Sequence, residues 1–216
     1  MGTVIFDMDG LMFDTERLCV EAYDYAGEAF GIGKAGYMVL KTLGMNKEAS
    51  LEVWRRELGT FDEEGLQKHV RAFYEDYRSH NHMPVKKGLY RLLDYLQSAG
   101  YVMAVASSTS RRGVLENLKD AGVEKYFSVI VGGDCVQVSK PEPDIYLKAC
   151  ELLGQCPGDC YALEDSRNGL LAATRAGCKT IMVPDLWQPD AQILEVITGK
   201  FADLDAVCDY FQSIDA

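Results

Sequence analysis

The chain has no basic tract: 22 lysines and arginines stand against 33 aspartates and glutamates, a formal net charge of −11. That balance excludes nucleic acid and anionic membranes as extended partners, because nothing neutralises a row of phosphates. A few locally focused cations can still bind one small phosphate ester. No apolar run reaches the roughly 18 residues of a spanning helix, and no basic segment precedes an apolar one at the start, so a cytoplasmic protein is expected. Histidines number three, and the seven cysteines (19, 135, 150, 156, 160, 178 and 208) are odd in number and scattered. Cys156 and Cys160 form a C-x3-C pair with no second cysteine or histidine pair beside it. Neither a disulfide framework nor a zinc centre is therefore expected.

What is present begins at once. Thr3-Val4-Ile5-Phe6 is β-branched or aromatic throughout, the composition of a short strand buried on both faces. It ends in Asp7-Met8-Asp9-Gly10. If strand geometry continues to Asp9, side chains at i and i+2 share a face and both carboxylates enter one site. Gly10 then permits a sharp turn. Two carboxylates this close in a low-dielectric crevice require a cation between them or a proton on one. Alone, this pattern also fits a strand running into an acidic turn.

With 216 residues, 48 % apolar, the chain can build one core and a smaller second unit. Residues 16–82 contain no strand candidate. Helical segments are expected over about 16–30 (Leu18, Ala22, Tyr25, Ala26 and Ala29 on one face), from about 38 to before Gly44, over 46–58 and over 62–79. From Pro84 onward helices alternate with apolar strands at 101–106, 127–131, 160–163 and 180–183. The fold class is therefore α/β, a doubly wound, Rossmann-like parallel sheet core with an inserted four-helix domain. The core should comprise 1–15 and 83–216, and the insert 16–82.

Such sheets bind ligands at the C-terminal ends of their strands. The strand at 102–106 ends in Ser107-Ser108-Thr109, hydroxyls and amides suited to phosphate. The strand at 160–163 ends in Glu164-Asp165, and Lys140 lies in a loop stiffened by Pro141 and Pro143. Each has a plain alternative as a helix cap, a solvated lysine or a dipole-stabilising acid. Together they fall at one edge of one sheet, which favours a single active site.

Asp7-Met8-Asp9-Gly10 with Asp14-Thr15-Glu16, then Ser107, Lys140-Pro141 and Glu164-Asp165, occur in an order that resembles the haloacid-dehalogenase-like superfamily over essentially the entire chain. The resemblance is to the phosphatase branch with a helical cap, close to the β-phosphoglucomutase-like group. It implies Asp7 as nucleophile, Asp9 as general acid and then base, and Mg2+ held by Asp7, the Asp9 carbonyl, Asp165 and Glu164. It also implies Ser107, Ser108 and Lys140 as phosphate binders. The family's dehalogenases lack an acid at the Asp9 position, and its phosphonatases differ in the first motif. In the cap, Lys47 falls where β-phosphoglucomutases carry an arginine that holds a second phosphate, and Cys19 where they carry a histidine. The implied function is a Mg2+-dependent phosphatase of a small phosphorylated metabolite, a sugar phosphate, acting as a monomer. A hexose-phosphate mutase is the alternative. A phospho-accepting receiver is disfavoured by the helical insert and by Asp9, and a silent binding protein by the complete motif set.

Overall fold

The computed structural model describes residues 2–43 and 47–216, except the side chains of 47–49. The chain divides into two units, Met1–Asp14 with Pro84–Ala216, and Thr15–Met83. The second unit consists of α1 (Thr15–Phe30), α2 (Gly36–Thr42), α3 (Lys47–Leu58) and α4 (Glu63–His80). Its own core gathers Ala22, Ala26, Met38, Trp54, Leu66 and Val70, with Tyr23 and Phe61 packed on Trp54. Asp62 caps α4 by accepting the Gly65 N–H at 3.0 Å. Tyr25 and Ala29, expected on the apolar face of α1, are exposed. Gly27 turns inward instead, because a Cβ there would lie 2.2 Å from the Gly33 carbonyl oxygen. Apolar spacing cannot reveal a helix face chosen for close backbone approach.

The first unit is a parallel six-stranded sheet formed by β1 (Thr3–Phe6), β2 (Val102–Ala106), β3 (Val129–Val131), β4 (Cys160–Glu164), β5 (Lys179–Met182) and β6 (Gly199–Lys200). The strand order is β3-β2-β1-β4-β5-β6, so the direction of winding reverses between β1 and β4, where doubly wound sheets open a crevice. Helices α5 (Leu89–Ser98), α6 (Arg111–Asp120), α7 (Asp144–Leu153), α8 (Arg167–Ala176), α9 (Ala191–Val196) and α10 (Leu204–Asp215) complete the unit. All four residues of β1 are buried. Alanines 104, 106, 149, 162, 172 and 173 form much of the core beneath α7 and α8, and these small side chains leave room for the large ring of Tyr146.

Three local readings change. The expected helix at 188–198 shortens to α9, capped by Asp190 on the Ile193 N–H at 3.0 Å. Beyond it, Thr198 donates to the Thr180 carbonyl and Gly199–Lys200 forms the sixth strand, too short for any periodicity to announce. The last helix runs to Asp215 rather than Phe211. Strand β4 includes Glu164, so that carboxylate is fixed by the sheet rather than by a loop. All seven cysteines are free thiols; Cys156 is exposed and Cys160 buried.

Candidate active site

Strand register assembles the site. Phe6 pairs with Val105 on one side and Leu163 on the other, so the next residues, Asp7, Ala106 and Glu164, stand level at the ends of the three central strands. The Asp7 N–H still donates to the Leu163 carbonyl at 3.0 Å. The strand then stops. Met12 and Phe13 N–H groups turn back onto the Met8 carbonyl, so Asp9 does not share a face with Asp7 through continued strand geometry. The two carboxylates are neighbours because the turn folds Asp9 toward β2.

Their surroundings differ. Asp7 is buried, and its Oδ1 accepts from Lys140 Nζ at 2.5 Å. Asp9 Oδ2 accepts from two hydroxyls, Ser107 Oγ at 3.2 Å and Thr109 Oγ1 at 2.8 Å. Ser107 Oγ also accepts the Thr109 N–H at 3.1 Å. Ser108, expected as a phosphate binder, is exposed, whereas the second hydroxyl at the site is that of Thr109. The chain bends after Ala106, and the Thr109 N–H bond to Ser107 Oγ is what brings these two hydroxyls together.

Lys140 reaches in from its loop with a side chain only 6 % exposed. Its Nζ donates to Asp7 Oδ1, to Glu164 Oε1 at 2.6 Å and to the Ala106 carbonyl at 3.0 Å. From outside, Arg175 Nη1 on α8 holds the same loop by donating to the Pro141 carbonyl and to Glu142 Oε1, each at 2.9 Å. Neither Thr109 nor Arg175 follows from spacing along the chain. Lys47 opens α3, and its side chain lies outside the described residues.

The electrostatics are those of an acid-rich pocket. Burial and the Glu164 carboxylate push the Asp7 acid well up, against the opposing pull of Lys140. Burial alone would lower Lys140, but Asp7 and Glu164 reverse this and hold the ammonium protonated above its usual range. Asp7, Glu164 and Asp165 each offer a carboxylate oxygen, all within 4.8 Å of one another. Three buried carboxylates against one ammonium leave an excess of negative charge, and the donors are hard oxygens. Both features fit a divalent cation such as Mg2+.

Gly10 lies against this cluster with φ of +80°, and a Cβ there would sit 2.2 Å from Asp165 Oδ2. Gly10→Ala is therefore expected to lower unfolding free energy by about 1–2 kcal/mol from backbone strain alone. Displacement of Asp165 adds to that loss. Denaturant unfolding checks this; a stability equal to the parent's would refute the packing argument.

The profile of the family described as haloacid dehalogenase-like hydrolase matches residues 4–183. A Thermotoga maritima protein named phosphorylated carbohydrates phosphatase is 34 % identical over 183 residues, covering 84 % of each chain. A solved structure from the same organism, assigned provisionally as a beta-phosphoglucomutase, superposes with a TM-score of 0.83 at 30 % identity, covering 99 % of this chain and 100 % of that one. CbbY from Rhodobacter sphaeroides, solved as a mutant with xylulose 1,5-bisphosphate, gives 0.77 at 26 % identity over 95 % and 96 % of the two chains. A match running unbroken from β1 through β5 takes in every strand end described above, and on it the chain belongs to the haloacid dehalogenase-like hydrolases, in their β-phosphoglucomutase-like group.

Proposed function

We propose that the protein is a Mg2+-dependent phosphatase that hydrolyses a small phosphorylated metabolite, a sugar phosphate, through an aspartyl-phosphate on Asp7. The carrying observation is the division between the two aspartates: Asp7 is held by an ammonium, and Asp9 by two hydroxyls on the other side of the turn. An Asp7 oxygen attacks phosphorus and the bond to the ester oxygen breaks, with Asp9 giving that oxygen a proton. Water then attacks the aspartyl-phosphate, Asp9 takes its proton, and phosphate leaves with Asp7 restored. Lys140 and Ser107 hold the transferring phosphoryl oxygens, with Thr109 beside them in place of Ser108. Asp7, Asp165 and the Asp9 carbonyl would hold Mg2+, with Glu164, whose two oxygens already accept five donors, adding negative charge behind them. When bound, that ion supplies positive charge against the repulsion between a dianionic ester and Asp7.

The sugar-phosphate class is supported by the Thermotoga maritima relative's name and by the bisphosphate in the CbbY structure. A mutase reading rests on the likeness to the structure assigned as a beta-phosphoglucomutase. The test is phosphate release across sugar phosphates, nucleotides and phosphoglycolate, with Mg2+ and with EDTA. Mg2+-dependent release from a few related sugar phosphates is expected. Glucose 6-phosphate formed from β-glucose 1-phosphate only with the 1,6-bisphosphate present, and with little phosphate freed, would establish the mutase instead. No turnover of any ester would end both readings.

Metal binding has its own readout. At 100 times its dissociation constant, Mg2+ should stabilise the fold by about 2.7 kcal/mol. That corresponds to a rise of roughly 5–10 °C in melting temperature for a chain of this size. Asp165→Asn should abolish the rise. An identical Mg2+ response in parent and variant would remove Asp165 from the metal site.

A further inference from the structure

We infer that Tyr146 is a positioning residue for Lys140, acting through the shared oxygen of Glu164. The inference rests on the phosphatase reading only for its kinetic arm. Tyr146 lies on α7 and is completely buried, among the largest fully buried side chains of the protein. It belongs to a core cluster of alanines, cysteines, Ile5, Val131 and Ile145, an apolar setting that a phenylalanine ring would suit equally well. A buried hydroxyl is unfavourable unless bonded. Here it donates to Glu164 Oε1 at 2.7 Å, the same atom that accepts Lys140 Nζ at 2.6 Å.

Counting donors shows what that bond does. Glu164 Oε2 accepts the N–H groups of Asp165 at 3.2 Å and Ser166 at 3.3 Å, and the Ser166 hydroxyl at 3.1 Å. With Tyr146 and Lys140 on Oε1, five donors fix the carboxylate in plane and rotation. A Cβ on Gly169 would stand 1.8 Å from Oε1, so the first turn of α8 closes that side too. Lys140 in turn has three N–H bonds and three acceptors: Asp7, Glu164 and the Ala106 carbonyl. Its Nζ also lies 5.1 Å from the centre of the Tyr146 ring, within cation–π range.

During turnover Lys140 must pass one hydrogen bond from Asp7 to a phosphoryl oxygen while its other two anchors stay in place. Tyr146 occupies one side of Glu164 Oε1 and confines the ammonium to the other, which points it at Asp7. Without the hydroxyl, Glu164 can turn and the ammonium can slide toward it. The loss falls on the phosphoryl-transfer step rather than on substrate capture.

The experiment is Tyr146→Phe in the full chain, which removes one oxygen and keeps the ring. The readouts are kcat and KM for p-nitrophenyl phosphate with Mg2+, the melting temperature, and the 15N–1H signal of the Lys140 ammonium, assigned by its absence in Lys140→Met. The expected result is a fall of about tenfold in kcat, the size of one charge-assisted hydrogen bond. KM should stay within twofold, the melting temperature within a few degrees, and the ammonium signal should broaden or vanish. A kcat within twofold of the parent, or an unchanged ammonium signal, would overturn the inference. So would a melting temperature lowered by more than about 10 °C, which would make the hydroxyl a stabilising group. If the parent releases no phosphate, the phosphatase reading fails and the ammonium signal alone decides: lost in the variant, it supports the positioning role; unchanged, it overturns it.

Discussion

Asp7→Asn is expected to lower kcat for phosphate release by at least about 10³-fold without lowering the melting temperature of the metal-free protein. An amide nitrogen or its carbonyl oxygen cannot take the phosphoryl group in place of a carboxylate, so the first bond is not made. Stability moves the other way. Asp7 is buried beside Glu164, and its acid is pushed up by that burial and that neighbour, so its charge is unfavourable in the fold when no cation is present. Asparagine removes the charge at nearly constant shape and keeps an oxygen for Lys140. Kinetics and thermal unfolding on the same preparation test both halves. Retention of more than a tenth of the parent kcat would take the nucleophile's role away from Asp7.

Lys140→Met is expected to reduce kcat by about 10²-fold or more and, unlike the asparagine variant, to destabilise the fold. The first effect is the loss of a preorganised positive charge where phosphoryl charge develops. The second follows from what stays behind. Methionine fills the stem of the lysine but leaves Asp7 and Glu164 facing one another, and breaking one side of a buried ion pair costs about 3–5 kcal/mol. Added Mg2+ should recover part of that stability and little of the rate. A variant as stable as the parent would mean that Lys140 is not the counter-charge of this cluster, contrary to its contacts at 2.5 Å and 2.6 Å.

The parts of the fold that could be read from the chain share a cause. Strands such as Thr3–Phe6 and Val102–Ala106 are buried on both faces, so their composition alone marks them. The rule that ligands gather at strand ends then pointed to Asp7, Ser107 and Glu164 without any knowledge of packing. What stayed hidden depends on three-dimensional approach. Thr109 was one of a hydroxyl run until the turn after Phe6 carried Asp9 onto it. Tyr146 carries no signal of its own in the chain beyond lying in a helical stretch, and its hydroxyl has a partner only because β4 ends in Glu164 at the same depth. Gly133 gave no pattern at all; a Cβ there would lie 2.3 Å from the Ser108 carbonyl oxygen, so the loop after β3 sets how the loop after β2 can run. Likewise β6 exists because β5 has an open edge, a property of the sheet rather than of Gly199 and Lys200 themselves.

The chain leaves the first unit at Asp14 and returns at Pro84, and these two passes are stitched together. Asp14 donates its N–H to the Pro84 carbonyl at 2.8 Å, Lys86 donates to the Met12 carbonyl at 2.9 Å, and Phe13 bridges Val85 in antiparallel fashion. To the sheet, then, everything from Thr15 to Met83 is topologically one hairpin loop whose ends are already closed. Loop closure grows only slowly with length, about 0.6 kcal/mol per doubling, and the helices bring a core of their own. An insertion built this way can be lengthened, shortened or exchanged with little penalty to the sheet. The strands that end at Asp7, Ser107 and Glu164 can thus remain constant while the part between Asp14 and Pro84 diversifies.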